Sequence, residues 1–449
     1  MKKRMVSILL TVAMAATLLT GCGSNEGVGS DGKVKITVPD RVLTEQGENA
    51  FKKQKQEEFD RLYGDKIEVT HILPYESADA NNVQNLAAVL LSNDSPAYVN
   101  LSSTIYMKDL YNMGLVADIS SYVKNDEEFK KILPNIVESC TYSDGSIIAY
   151  PTSIEVPLLG FYKEALIEAG YDPETFTCNT WDEYYEAAKK MTTADRKGSS
   201  LYLSEFFLWP QNWFLSNGAQ VAVQNEDGTI ALNYTDEKVV QTVEFLRKLY
   251  QEGLTNKNAG TASTNDMFSL MYGKSIASFT MYPTWIDRFI DQGIAPNDIM
   301  LTMFPAGPSG ECQPVMYVSG VVFNSKLSEK ELEAAIKYVS FMYSEETQNE
   351  QFAYRADNGI STLTISCVEG VDWSKGLTDF PQQWIDMIQS AMQIAHDNRV
   401  NATGYSTYLS AKLPAIVTGT DSIEKGLQEA EDLTKNEWLN DYNANLNKH

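Results

Sequence analysis

Val34-Lys35-Ile36-Thr37-Val38 alternates apolar and polar side chains, the period-two signature of a strand with one buried face. Helical spacing follows over Glu48 to Tyr63, then a strand from Ile67 to Ile72. A helix around Ala80 to Ser92, a strand from Tyr98 to Leu101 and a helix around Met107 to Gly114 continue the series. Strand–helix alternation of this kind predicts an α/β layer with a largely parallel sheet.

Upstream of that first strand, Gly23 to Gly32 reads GSNEGVGSDG, with almost no apolar side chain. Such a segment is expected to be a flexible tether, averaging ~17–19 Å end to end for ten residues. Before it, Lys2, Lys3 and Arg4 precede an apolar stretch from Met5 to Leu18 and then Leu19-Thr20-Gly21-Cys22. A basic start, an apolar middle and small residues at a cut are the parts of a secretory signal peptide. The apolar run is ~15 residues long, against the ~20 that a spanning helix needs. A cysteine just past the cut matches the bacterial lipoprotein signal. The expectation is therefore a signal peptide over 1–21, lipidation at Cys22 and a tether over 22–32. The protein would then be anchored on the extracytoplasmic face of the cell membrane, at the cell surface or in the periplasm.

Removing residues 1–21 takes three basic side chains from a chain whose net charge is already −24. A surface so acidic repels nucleic acid and anionic headgroups, which excludes both as partners. Cys140, Cys178, Cys312 and Cys367 are far apart, and four cysteines allow three fully paired connectivities. Pairing and buried free thiols both stay open. His71, His396 and His449 are too few and too scattered for a histidine zinc site, so no metal and no cofactor is expected.

The α/β pattern continues downstream. Leu158 to Tyr162 reads as a strand, and Lys163 to Ala169 as a helix stopped by Gly170. Thr180-Trp181-Asp182-Glu183 and Ser328 to Glu331 are capping boxes that open helices. Glu237 to Glu252 is a helix closed by Gly253, and Ile276 to Met281 and Val318 to Phe323 are strands. No Walker loop, nucleophile elbow, dinucleotide glycine fingerprint or His-Glu-x-x-His motif is present, so no enzyme activity is expected.

Several stretches carry a family resemblance. They are Gly145 to Glu155 (GSIIAYPTSIE), Leu159 to Leu166 (LGFYKEAL), the helix from Thr180 (TWDEYYEAAKKMT), Tyr272 to Ala277 followed by Trp285, Phe304 to Pro308, and Ser344 to Gln348. In this order they resemble the extracellular solute-binding proteins of ABC importers, in the carbohydrate group that includes maltose-binding protein. The resemblance implies a two-domain, periplasmic-binding-protein-like (class II) α/β fold with a hinge crossed three times, near Ser153, Pro305 and Ser361. Domain one would be 33–153 and 306–360, and domain two 154–305 and 361–449. It also implies ABC permease subunits as partners, a monomeric state and a carbohydrate trapped by hinge closure.

A sugar needs hydrogen-bonding groups for its hydroxyls and flat rings for its C–H faces. An aromatic content of 11% permits such a cleft. The resemblance places Glu155 on a ligand-binding glutamate, Trp285 on a stacking tryptophan and Phe206 on an aromatic contact, with Trp209 in the core. Tyr405 and Tyr408 fall near a further aromatic contact. Asp40 and Arg41 after the first strand, and Ser102, Ser103 and Thr104 after the third, sit where strand ends face the crevice of open α/β sheets. Leu101 and Thr104 stand where the maltose proteins have a tryptophan and an aspartate, which argues against maltose itself. A polyamine or peptide cargo, a glycosidase with paired carboxylates and a sensor role remain as alternatives.

Overall fold

A computed structural model describes residues 29, 31–73, 83–377, 379–397, 400–420 and 422–446. Cys22, the signal segment and the Ala80 end of the second expected helix lie outside the described residues. The first unit begins with β1 (Val34–Val38), α1 (Glu48–Tyr63), β2 (Ile67–His71), α2 (Val83–Leu91), β3 (Tyr98–Leu101) and α3 (Thr104–Asn112). β1 and β2 pair in parallel from Val34↔Ile67 to Val38↔His71. The Ala97 N–H donates to Thr37 O at 2.7 Å and joins β3 to β1.

The rest of the strand set is antiparallel, which corrects the largely parallel sheet expected from the alternation. β4 (Tyr150–Glu155) does not lie on β3, because a strand from far along the chain separates them. After β5 (Leu158–Tyr162), the short hairpin β6 (Ala222–Gln224) and β7 (Ile230–Leu232), β8 (Ser278–Met281) and β9 (Ile299–Thr302), the chain returns as β10 (Tyr317–Phe323). β10 inserts antiparallel between β3 and β4. A bulge at Ser319/Gly320 bends it there. A Cβ at Gly320 would lie 2.8 Å from Tyr150 O, so only glycine lets the strands approach this closely. β5 forms the centre of the second sheet, antiparallel to β8 and to β9.

Local signals set the helices around these sheets. Thr180 and Glu183 form the expected capping box on Trp181–Met191, and Ser328 and Glu331 form one on Glu329–Met342. Trp181, Tyr184, Ala188 and Met191 are buried on one face. The Tyr184 hydroxyl, inside the second unit, donates to Ser199 Oγ at 2.6 Å.

Hydrogen bonding marks where the chain passes between the sheets. It leaves the first sheet through Val156 and Pro157, between β4 and β5. On return, Ala306 N–H still donates to Asn179 O, Gly307 N–H to Ser216 O and Gln313 N–H to Leu215 O, all in the second unit. Residues 365–369 remain on the first unit: Ile365 O accepts from Ile154 N–H, and Glu369 N–H donates to Lys131 O. Trp384 is then fully buried and donates from Nε1 to Ile299 O at 2.8 Å, which pins Gln382–Ile394 on β9. Trp384→Ala should cost ~3–5 kcal/mol through the cavity left and the lost bond. A urea titration showing less than 1 kcal/mol would contradict this anchoring role.

Candidate ligand cleft

Glu155 is the last residue of β4, at the passage into the second unit. Thr284 lies in the turn Pro283–Trp285 that follows β8. Its hydroxyl donates to Glu155 Oε2. The residue as a whole is half-buried, yet its other oxygen, Oε1, is sealed from solvent with no hydrogen-bond partner. Burial pushes the Glu155 carboxyl up to about 8, against the opposing bonds from Thr284 and the Val156 backbone.

A band of rings extends from this carboxyl in two clusters, bridged by the Tyr317 hydroxyl. Half-buried Trp285 packs on Tyr282 with centroids 4.4 Å apart, on Phe268 at 5.1 Å and on Trp209 at 5.4 Å. Tyr282 lies 5.9 Å from Tyr317 of β10, the one ring contributed by the first unit. The Tyr317 hydroxyl reaches Phe207 O and lies 3.2 Å from Gln211 Oε1. Phe207 meets Tyr405 edge-on at 5.7 Å and Phe206 at 5.8 Å.

Beyond the band lies a cavity of about 800 Å³ lined by Phe206, Gln211, His396, Asp397 and Tyr405. A neighbouring cavity of about 310 Å³ shares His396 and Asp397 and adds Lys108. Lys108 and Asp397 form an ion pair at 2.9 Å, with side chains only 3% and 8% exposed. Thr104, one helical turn before Lys108, donates to Asp397 Oδ1 at 2.8 Å. Asp109 accepts from Thr403 Oγ1 at 2.7 Å, and burial pushes its carboxyl up to about 6. Asn112 Nδ2 donates to Asn401 O at 2.8 Å. Four residues of α3 thus hold Asp397, Asn401 and Thr403.

The residues expected from sequence divide accordingly. Glu155, Trp285, Phe206 and Tyr405 fall on this band and its cavity, while Thr104 is buried and reaches the cavities only through its bond to Asp397. Phe206 and Tyr405 are 2% and 1% exposed, so their rings are core walls rather than open platforms. Tyr405 is further fixed because the Tyr234 hydroxyl donates to its carbonyl. Tyr408 is half-buried on Thr407–Thr418. Trp209 is in the core, as expected. Asp40 is a correction: it turns into the first unit, where Oδ1 meets His71 Nδ1 at 2.6 Å and Oδ2 accepts from Tyr338. Its place two residues beyond buried Val38 explains this, since the inward face of β1 continues through it. Arg41 points the other way and is exposed, as is Ser102, while Ser103 is buried at the start of α3. Lys108, Asp397, Tyr282, Thr284 and Tyr317 were not expected. Only Lys108 carried a local signal, its i, i+4 spacing from Thr104. Cys140, Cys178, Cys312 and Cys367 are all free thiols. Burial pushes Cys178 and Cys367 up to about 12.

Two mixed α/β units joined at β4 and β10, with rings and a carboxyl at the junction, define a two-domain solute-binding protein. The chain belongs to the bacterial extracellular solute-binding protein family, whose model matches residues 44–349. It is a binding protein rather than an enzyme, and its family acts outside the cytoplasm. Lipoprotein LipO of Bacillus subtilis is 23% identical over 401 residues, covering 83% of this chain and 76% of that protein. Two solved structures share the fold. The GacH receptor of Streptomyces glaucescens, solved unliganded and with acarbose, has a TM-score of 0.68 at 18% identity, covering 91% of this chain and 99% of that one. The cyclic alpha-maltosyl-1,6-maltose binding protein of Arthrobacter globiformis has a TM-score of 0.70 at 17% identity, covering 91% and 100%. Among the described residues no helix is long and apolar enough to cross a membrane.

Two measurements test this geometry. The folded Glu155 carboxyl keeps a proton that the unfolded chain releases above its ordinary value of 4.5. Its contribution to stability is therefore full below that value and falls as the pH rises to about 8. Glu155→Gln should match the wild type near pH 4.5 and be the more stable of the two above pH 8. Parallel pH profiles in urea titrations would rule out a buried neutral carboxyl. Lys108→Met should cost ~3–5 kcal/mol by leaving Asp397 buried and unpaired, and Lys108→Met with Asp397→Leu should recover most of that loss. Equal losses in the single and double variants would show that the pair is not coupled.

Proposed function

We propose that the protein is the lipid-anchored receptor of a carbohydrate ABC importer, binding an oligosaccharide between its two domains. The observation that carries this reading is a pair of aromatic clusters, Trp285–Tyr282–Tyr317 and Phe206–Phe207–Tyr405, bridged by the Tyr317 hydroxyl on Phe207 O, with a sealed carboxyl, Glu155, beside the first. Rings offer faces for sugar C–H groups, and a carboxyl and amide offer partners for hydroxyls. The GacH receptor was solved with acarbose, and the Arthrobacter globiformis protein binds cyclic alpha-maltosyl-1,6-maltose, which supports the same cargo class.

In this reading Cys22 carries the lipid, and the tether up to residue 32 holds a monomeric body near its permease subunits. The first domain comprises 33–156, 314–323 and the helices and loop through about 370. The second comprises 157–313 and the chain from about 380 on. These limits follow the hydrogen bonds of 306–313 and 365–369 rather than the sequence motifs. Ligand closure draws the domains together about the three passages. A polyamine or peptide cargo is the second reading, supported by the acidic composition.

A glycan panel scored by melting temperature tests the proposal, because a ligand that binds only the folded state raises its stability. At least one oligosaccharide should raise the melting temperature. Trp285→Ala and Glu155→Ala should each weaken that glycan about tenfold or more, the scale of a lost stacking or charged contact. A shift with a polyamine or peptide and with no glycan would overturn the carbohydrate assignment.

A further inference from the structure

A second pocket lies away from the aromatic band, at the seam between the far end of α3 and the C-terminal helices. Its volume is about 770 Å³. One wall is the tilted pair Tyr111 and Tyr142, with centroids 4.8 Å apart. The other is Trp438 and Tyr442, stacked at 5.0 Å and 28°. A local widening of the helix over Lys435–Leu439, in i→i+5 bonding, carries Trp438. Such widenings re-aim side chains and recur at functional sites. The Trp438 ring can lie where it does because residue 404 is glycine, as a Cβ there would collide with it.

Among the described residues the charge of this pocket is one-sided: Asp144, Glu437 and Asp441 line it, and no described lysine, arginine or histidine does. Asp109 adds negative charge behind Tyr442. The Tyr442 hydroxyl is sealed from solvent. It lies beside the Tyr142 hydroxyl but has no partner in hydrogen-bond geometry. Among the described residues no three acidic, histidine or cysteine side chains are grouped to hold a metal ion. The carboxylates are spread around a space sized for an organic ligand, not clustered on a point.

We propose that this pocket is a second binding site, for an organic ammonium ion. Aromatic faces attract such cations through their quadrupoles, best when alkyl groups spread the charge and lower the cost of desolvation. Carboxylates at the rim supply the counter-charge. A neutral sugar would use the rings but would leave the negative charge of the rim unbalanced. The two walls come from different parts of the chain, residues 111–144 and 437–446. A bound cation would therefore bridge the seam that α3 makes with the C-terminal region.

Isothermal titration calorimetry of the full-length protein in detergent, with choline and tetramethylammonium as probes, tests this site. Both should bind, and 3,3-dimethylbutan-1-ol, the uncharged analogue of choline, should not. Glu437→Gln with Asp441→Asn, two exposed positions, should weaken choline about tenfold, and so should Trp438→Leu. Trp285→Ala, in the aromatic band, should leave choline affinity unchanged, so failure of the glycan reading and failure of this one can be told apart. Absence of choline binding, equal affinity for the neutral analogue, or loss of choline binding in Trp285→Ala would each overturn the proposal.

Discussion

Lys108 and Asp397 are 289 residues apart and form a buried ion pair. The arrangement of the ligand region depends on that contact. A buried pair contributes little net stability, since desolvating both charges offsets most of their attraction. Its effect is on which arrangement is allowed. Any register of α3 against the 397–403 segment that separates the two leaves a charge buried without a partner. Thr104, Asp109 and Asn112 add uncharged or singly charged bonds along the same helix face, and so fix both ends of the seam. Both cavities beside the band are lined by Asp397 or Lys108. Ligand space and domain contact are thus built from the same side chains.

The antiparallel insertion of β10 serves the same end. A strand arriving from the second unit must enter the first sheet somewhere, and it enters between β3 and β4. That brings Tyr317 to the junction, beside Tyr282 of the other unit. The bulge at Ser319/Gly320 and the close approach at Gly320 are what permit the bend. Ring contact therefore crosses from one unit to the other at Tyr282 and Tyr317.

Much of the local structure was legible in the sequence, because its causes are local. The capping boxes at Thr180 and Ser328 and the strands at Val34, Tyr98 and Leu158 follow from neighbours a few residues away. Strand partners did not, since pairing is decided by residues more than two hundred positions apart. Asp40 was misassigned for a different reason. The crevice rule for strand ends was applied where the simpler period-two rule held: Ile36, Val38 and Asp40 are 3%, 0% and 5% exposed on one inward face. Glu155 and Trp285 were singled out through family motifs, and the fold places them side by side, with Thr284 bonding Glu155. Their partner Thr284 and the Asp397 ion pair have no sequence motif and emerge only when the chain is folded.

Glu155 joins these themes. An exposed carboxylate would be ionised at pH 7 and could only accept hydrogen bonds. Held near pH 8 by burial, this one is mostly protonated there and carries both a donor and an acceptor. A sugar hydroxyl needs both, because it too donates one bond and accepts others. The cost of sealing Oε1 without a partner is retained in the protein alone. On the carbohydrate reading, the groove thus binds its cargo partly through a hydrogen bond that the empty fold leaves unmade. That bond favours ligands bearing a hydroxyl over purely apolar ones of the same shape.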